Sequence, residues 1–221
     1  MKRLLSLLLT AAILLALVPA VLAEPTAQQT VTFTGDGEWL TSDVQPDNTK
    51  AYELGMDLDL PNIETATQRD AIADEVCVKL RNPDSLDYAW LQIRTYLDVS
   101  GVYKVFVRMQ ELANRAWVNV KGAWSAGSAT PISKLHLAMR YENGVWSWTV
   151  TNRDGGATIN EDTTAGHTFK SELTSCAAVE LTVKRGKTNI TLSNAYIAYE
   201  ETSEPSDPDK TDVVFTGDAD W

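Results

Sequence analysis

Residues 134–150 read KLHLAMRYENGVWSWTV, two runs of alternating apolar and polar side chains around Asn143-Gly144. An Asn-Gly pair between two such runs is the strongest local signal for a two-residue β-hairpin, because both residues accept the left-handed backbone that the turn requires. The predicted cross-strand pairs are Tyr141 with Trp146, Met139 with Trp148, and Leu137 with Val150. Trp146 and Trp148 share the apolar face, so we expect them in the core and not on a binding surface.

The same period of two runs through residues 88–99 and resumes after Gly101. A three-residue loop, Val99-Ser100-Gly101, places apolar side chains opposite each other, whereas a two-residue loop would set Leu97 against Lys104. The predicted pairs are Leu97 with Tyr103, Thr95 with Val105, Ile93 with Val107, and Leu91 with Met109. A third strand is predicted over residues 115–121, which gives a three-stranded meander with Gln92 opposite Arg108 and Arg108 opposite Trp117.

Further strands are predicted around residues 50–60, 74–81, 177–184 and 189–199, with a short helix over 62–73. About ten strands with no sustained helical period predict an all-β fold, a two-sheet antiparallel β-sandwich of the jelly-roll type.

The first 23 residues, MKRLLSLLLTAAILLALVPAVLA, have a basic start, an apolar run, a Pro break and small residues before a cleavage site. This pattern predicts a secretory signal peptide over residues 1–23. No later run is apolar for long enough to span a bilayer, so we expect no membrane span in the mature chain. The net charge of −11 over 221 residues argues against nucleic acid as a partner, because the phosphate backbone would be repelled.

Residues 31–39, VTFTGDGEW, return at the end of the chain as VVFTGDADW over residues 213–221. Between them, residues 200–212 are acidic and contain Pro and Ser, which is typical of a linker. We therefore predict a β-sandwich module over residues 24–199, a linker over 200–212, and the start of a second repeat over 213–221. The alternative is that the second copy supplies a strand of the same domain.

The polar side of the predicted meander alternates aromatic rings with planar hydrogen-bonding groups. Its residues are Tyr88, Trp90, Gln92, Arg94, Tyr96, Lys104, Phe106, Arg108, Gln110, Arg115, Trp117, Asn119 and Lys121. A pyranose ring needs an apolar face to stack on and polar groups for its hydroxyls, so this face is the candidate carbohydrate-binding surface.

We assign stacking to Trp90, Trp117 and Tyr96, and hydroxyl bonding to Gln92 and Asn119. Five cations and no carboxylate lie in this set, so Arg94 and Arg108 are expected to hold the carboxylates of an acidic glycan. The composition also suits a structural face, because aromatic residues favour strands and stabilise them by cross-strand pairing.

A leader followed by VTFTGDGEW, the hairpin NGVWSWTV and the strand NITLSNAYIAYE resemble secreted bacterial β-sandwich modules, the carbohydrate-binding modules and concanavalin A-like lectins. The resemblance implies a jelly roll of the concanavalin A-like or galactose-binding-like kind. It also implies a ligand that lies across an exposed sheet or at a loop edge. For a loop-edge site the candidate platform is Trp124, in the predicted loop between Gly122 and Pro131.

The nearest approach to a catalytic pattern is Asp57-Leu58-Asp59, with Glu53 four residues before Asp57. Alternating carboxylates on one strand suit a glycosidase, but on an edge strand they more often serve solubility. His136 and His167 have no zinc-binding spacing, so we expect no catalytic metal and no cofactor. A structural Ca²⁺ near Asp36 is left unassigned.

Cys77 and Cys176 are the two cysteines of a chain with a predicted export signal. Such a compartment permits a disulfide, but the sequence does not show whether the two residues approach each other, so paired and unpaired thiols both remain open.

The leading hypothesis is a secreted, non-catalytic module that binds a polysaccharide or surface glycan, with surface attachment through parts beyond Trp221. The alternatives are a structural or adhesive spacer built from tandem repeats, and a glycoside hydrolase or lyase that uses Glu53, Asp57 or Asp59.

Overall fold

The computed structural model describes residues 29–33, 39–43, 46–81, 88–113, 116–155, 158–168, 178–183, 189–200 and 210–217. The predicted signal peptide lies outside these residues. In chain order the strands are β1 (Val31–Phe33), β2 (Trp39–Ser42), β3 (Tyr52–Asp59), β4 (Ile72–Arg81), β5 (Tyr88–Leu97), β6 (Tyr103–Ala113), β7 (Ala116–Trp124), β8 (Lys134–Glu142), β9 (Val145–Asn152), β10 (Thr158–Thr168), β11 (Ala178–Val183), β12 (Ile190–Tyr199), β13 (Lys210–Asp212) and β14 (Phe215–Gly217). No helix among the described residues has the length and apolar character needed to span a bilayer.

The strands form two antiparallel sheets. Sheet A has the order β1-β12-β3-β8-β9-β10, with β13 also paired to β12, and sheet B has the order β14-β2-β11-β4-β5-β6-β7. One cluster of buried apolar side chains joins them: β3 contributes Leu54 and Met56, and β4 contributes Val76 and Val78. Successive side chains of a strand point to opposite sides of the sheet, so every second side chain points into this cluster. The predicted two-sheet antiparallel β-sandwich is confirmed.

The hairpin of β8 and β9 has the predicted register, with Tyr141 opposite Trp146 and Met139 opposite Trp148. Asn143 and Gly144 both have positive φ, 49° and 80°, as the two-residue turn requires. Both tryptophans are buried, which confirms their place in the core.

The meander also begins as predicted: β5 and β6 pair Leu97 with Tyr103 and Ile93 with Val107. Gly101 supplies the left-handed residue of the loop, with φ of 83°. The amide N–H of Asp98 donates to the Val102 carbonyl at 2.9 Å and closes the three-residue loop.

The third strand of the meander differs from the prediction. The predicted register sets Arg108 opposite Trp117, but β6 continues to Ala113, so the turn comes later and Trp117 pairs with Leu112. A register shift between Met109 and Gln110 adds one more residue, and Arg108 pairs with Gly122. The strand also continues to Trp124, so the predicted loop from Gly122 begins later. The shift changes the alternation of β7 by one residue and sets Gly122 and Trp124 opposite Arg108 and Phe106, which the regular period of residues 115–121 does not predict.

The other predicted strands lie within two residues of their predicted ends. The segment predicted as a helix over 62–73 is a 3-10 helix, Pro61–Thr65, and β4 already begins at Ile72. The buried carboxylate of Asp74 fixes this short helix to the sheet: it accepts hydrogen bonds from the Asn62 amide at 2.5 Å and the Ile63 N–H at 3.1 Å.

Residues 210–217 belong to both sheets. Lys210–Asp212 pairs with β12 in sheet A, and Phe215–Gly217 pairs with β2 in sheet B. Between them Val213 is buried in the core cluster. The last three residues of the predicted linker, 210–212, are thus a strand of sheet A. Residues 201–209 and 218–221 lie outside the described residues, and the division into repeats stays a prediction.

Replacing Leu137 by Ala should lower the free energy of unfolding by about 2–5 kcal/mol, because it leaves a cavity under the β8–β9 hairpin. The matched control is Thr149→Ala on the outer side of the same hairpin, which should cost less than about 1 kcal/mol. Urea denaturation measures both. Equal effects of the two substitutions would contradict the assignment of faces.

Candidate functional site

The polar side of β4, β5, β6 and β7 forms one continuous outer face of sheet B, which we call the outer B face. Its described side chains are Glu75, Cys77, Lys79, Tyr88, Trp90, Gln92, Arg94, Tyr96, Lys104, Phe106, Arg108, Gln110 and Trp124. Trp117 pairs with Leu112 and Asn119 pairs with Gln110, but the side chains of Trp117, Asn119 and Lys121 lie outside what the structure describes, as does Arg115.

Part of this face is buried. Trp90 is 8% exposed and Gln92 is 3% exposed. The prediction that these two side chains contact a ligand is therefore wrong. Lys79 and Cys77 of β4 stand opposite Trp90 and Gln92, and both are buried as well, at 5% and 0% exposure. The Lys79 ammonium lies 4.3 Å from the centre of the Tyr88 ring. Tyr88 and Trp90 therefore belong to a packed patch and not to a stacking platform.

A charged network occupies the middle of the outer B face. The Arg94 guanidinium lies 3.1 Å from the buried carboxylate of Glu75, which also accepts a hydrogen bond of 3.3 Å from the Gln92 amide. Burial disfavours the charge on Arg94, but the adjacent Glu75 carboxylate outweighs this and holds the pKa of Arg94 above its ordinary value. The predicted set itself contains no carboxylate, but Glu75 supplies one from outside it, because β4 pairs directly with β5.

The other two described cations of the predicted set differ from each other. Lys104 forms an ion pair of 2.7 Å with Asp98. Arg108 donates from its Nε to the Gln92 carbonyl oxygen at 2.8 Å, and none of the described carboxylates pairs with it. Burial and the positive charge of Arg94 lower the pKa of Arg108, and the negative charge of Glu75 offsets part of this. Arg108 is therefore a cation held by a neutral partner.

An exposed aromatic cluster adjoins these arginines. Trp124 is 53% exposed, and its ring lies 4.9 Å from the Tyr96 ring and 4.7 Å from the Phe106 ring, measured between centroids. Gly122 permits this packing, because a Cβ there would lie 3.0 Å from the Phe106 ring. We call Trp124, Tyr96 and Phe106 the aromatic platform. Trp124 was expected in a loop, but it ends β7, where pairing with Phe106 fixes its backbone.

Sheet A carries the carboxylates of the enzymatic hypothesis. Strand β3 lies between β12 and β8, so these carboxylates are not on an edge strand as expected. The Asp57 carboxylate contacts Nδ1 of His136 at 2.7 Å and accepts a hydrogen bond of 2.7 Å from the Asn194 amide. Arg153 pairs with Asp59.

Glu53, the third carboxylate of this set, accepts a hydrogen bond of 2.6 Å from the Tyr196 hydroxyl. Burial raises the pKa of Tyr196, and the Glu53 carboxylate raises it further. All three carboxylates are thus held by neighbouring side chains, an arrangement that stabilises the outer face of sheet A.

The remaining predictions concern cysteines and metals. Cys77 is buried with its Sγ 4.0 Å from a Glu75 oxygen, while Cys176 lies outside the described residues, so their pairing stays a prediction. Asp36 and the His167 side chain are also outside them. Within the described part of the chain, no group of three or more His, Cys, Asp or Glu residues could hold a metal ion.

No protein-family model matches the chain, and no curated protein matches its sequence. Solved structures with a similar fold include the carbohydrate-binding module CBM66 from Bacillus subtilis, at 12% identity and a TM-score of 0.40, with 76% of this chain and 94% of that chain covered. The exoplasmic/lumenal domain of VIP36 in its Ca²⁺/Man3GlcNAc-bound form has 12% identity and a TM-score of 0.45, over 83% and 86%.

A third similar structure is the CBM2 module of the evolved Dit protein of Lactobacillus casei BL23 phage J-1. The identity is 9% and the TM-score 0.42, with 76% of this chain covered, and the match spans 66% of the phage module's chain. These are likenesses of fold.

Replacing Glu75 by Ala should lower the free energy of unfolding by about 3–5 kcal/mol, because it leaves the Arg94 charge largely buried without its carboxylate. The control is Asp154→Ala, which removes an exposed ion pair with Lys134 and should cost less than about 1 kcal/mol. Chemical denaturation at neutral pH compares the two variants. A small effect at Glu75 would show that the outer B face does not depend on this ion pair.

Proposed function

We propose that this chain is a non-catalytic carbohydrate-binding module whose ligand stacks on the aromatic platform. The observation that supports the proposal is the exposed Trp124 ring, supported on two sides by Tyr96 and Phe106. An exposed indole held in one orientation offers an apolar surface at a small cost in conformational entropy. The C–H face of a pyranose ring matches such a surface.

The polar groups beside the platform suit the rim of a sugar ring. Arg94 lies next to Phe106 across the β5–β6 pair, and Arg108 lies two residues beyond Phe106 on the same strand. Guanidinium groups donate several hydrogen bonds in one plane and bind carboxylates in a bidentate manner.

We further propose an acidic sugar as the preferred ligand. Glu75 already compensates Arg94, whereas Arg108 is bonded to the neutral Gln92 amide. A carboxylate that reaches Arg108 would neutralise a partly buried charge, which favours an anionic ligand over a neutral one.

The proposal includes export of the protein, on the basis of the predicted signal peptide over residues 1–23. Amino-terminal sequencing of the secreted chain tests this part: it should begin near Glu24.

Affinity electrophoresis through gels that contain glucan, xylan, polygalacturonate or alginate tests binding. We expect retardation by at least one polymer, more strongly by an acidic one, and loss of retardation in Trp124→Ala. Stability should change by less than about 1 kcal/mol, because the indole is largely exposed. The matched control is Val99→Ala, which removes an exposed apolar side chain from the β5–β6 loop.

Arg108→Gln should retain retardation by neutral polymers and lose the preference for acidic ones. Equal retardation of the unmodified chain by neutral and acidic polymers would contradict the acidic preference. No retardation in any gel would contradict carbohydrate binding and favour a structural or adhesive spacer.

A further inference from the structure

A cleft of about 280 Å³ lies beside the aromatic platform, between the 3-10 helix and the start of β4. The residues that line it are polar and uncharged, Asn62, Thr65, Thr67 and Gln68, or apolar, Ile72 and three alanines. None of the described residues that line the cleft has an ionisable side chain. Amides and hydroxyls around an apolar patch suit a neutral polyhydroxylated group.

The cleft is held in shape by bonds to the rest of sheet B. The Asp74 carboxylate bonds the 3-10 helix through Asn62 and Ile63, and the Thr95 hydroxyl bonds the same carboxylate at 3.2 Å. Further along, the Arg69 guanidinium donates to the Val99 carbonyl at 2.6 Å. A cleft fixed in this way needs little reorganisation to bind a ligand.

The cleft and the platform are neighbours. Ile72, at the edge of the cleft, pairs with Tyr96, which belongs to the platform. Adjacent strands lie about 5 Å apart, and the Tyr96 ring in turn lies 4.9 Å from the Trp124 ring of β7, so Tyr96 links the cleft to the rest of the platform. Tyr96 pairs with Lys104 of β6, and Arg108 lies four residues further along the same strand. At 3.3–3.4 Å per residue, the distance along the strand is about 13 Å. This span exceeds one pyranose ring.

We infer that the cleft is a second sugar subsite, which holds a neutral unit of the same glycan whose acidic unit lies against the platform and Arg108. This inference rests on the proposed function and adds a substrate class to it: a heteroglycan in which an acidic sugar is joined to neutral sugars. The two subsites differ in charge: Arg108 is at the platform end, and the cleft is lined by uncharged residues.

Isothermal titration calorimetry with aldotetraouronic acid, a glucuronate carried on xylose units, tests the inference. Xylotriose and free glucuronic acid serve as the neutral and the acidic half of this probe. The unmodified chain should bind the complete probe more tightly than either half. Gln68→Ala should weaken binding of the complete probe about 3- to 10-fold, as expected for the loss of one hydrogen bond, and leave glucuronic acid unaffected.

A second variant, Ala71→Phe, fills the cleft without removing a hydrogen-bonding group and should also weaken binding of the complete probe only. Thr130→Ala, an exposed residue outside both subsites, is the control. Thermal melts verify that each variant is folded.

The outcomes separate the two claims. If Trp124→Ala abolishes binding while Gln68→Ala and Ala71→Phe bind the complete probe normally, the subsite is overturned and the carbohydrate-binding function stands. If the unmodified chain binds other polysaccharides but not the complete probe, the acidic-neutral substrate class is overturned. If it binds no carbohydrate at all, both the function and the subsite are overturned.

Discussion

The apolar core that the two sheets share determines which side chains remain on the outer faces. Leu54 and Met56 of β3 and Val76 and Val78 of β4 are fully buried in one cluster, so each strand has one side committed to the interior. A ligand can therefore contact only the outer faces, and only where their side chains are exposed. On sheet B the outward side chains in the middle of β4 and β5 are buried, whereas Trp124 at the end of β7 is exposed.

Alternation in the sequence was sufficient to predict the two central hairpins, because a slip of one residue would exchange the faces of Leu137 or Ile93. It was insufficient for β7, where the shift after Met109 changes the partner of Arg108. Strand β10, Thr158–Thr168, was also missed. Its polar sequence has no apolar alternation, and it is a strand because it pairs with β9.

The candidate site was predicted in outline. Tyr96, Phe106 and Arg108 lie on the predicted face, and Trp124 was named as a platform, although in a loop. Period-two patterns tell which side of a sheet a residue occupies but not how deeply it is buried, so Trp90 was taken for a surface residue. Glu75 was missed because the face was predicted from three strands only, although consecutive strands often pair and β4 directly precedes β5.

A nuclear magnetic resonance titration that follows the indole N–H signals tests the central claim most directly. Trp124 is exposed, whereas Trp146 and Trp148 are buried on the other sheet, so their signals report on different places. On addition of glucuronoxylan oligosaccharides, the Trp124 signal should move in a saturable manner while those of Trp146 and Trp148 stay in place. A saturable response elsewhere, with the Trp124 signal unchanged, would contradict the account.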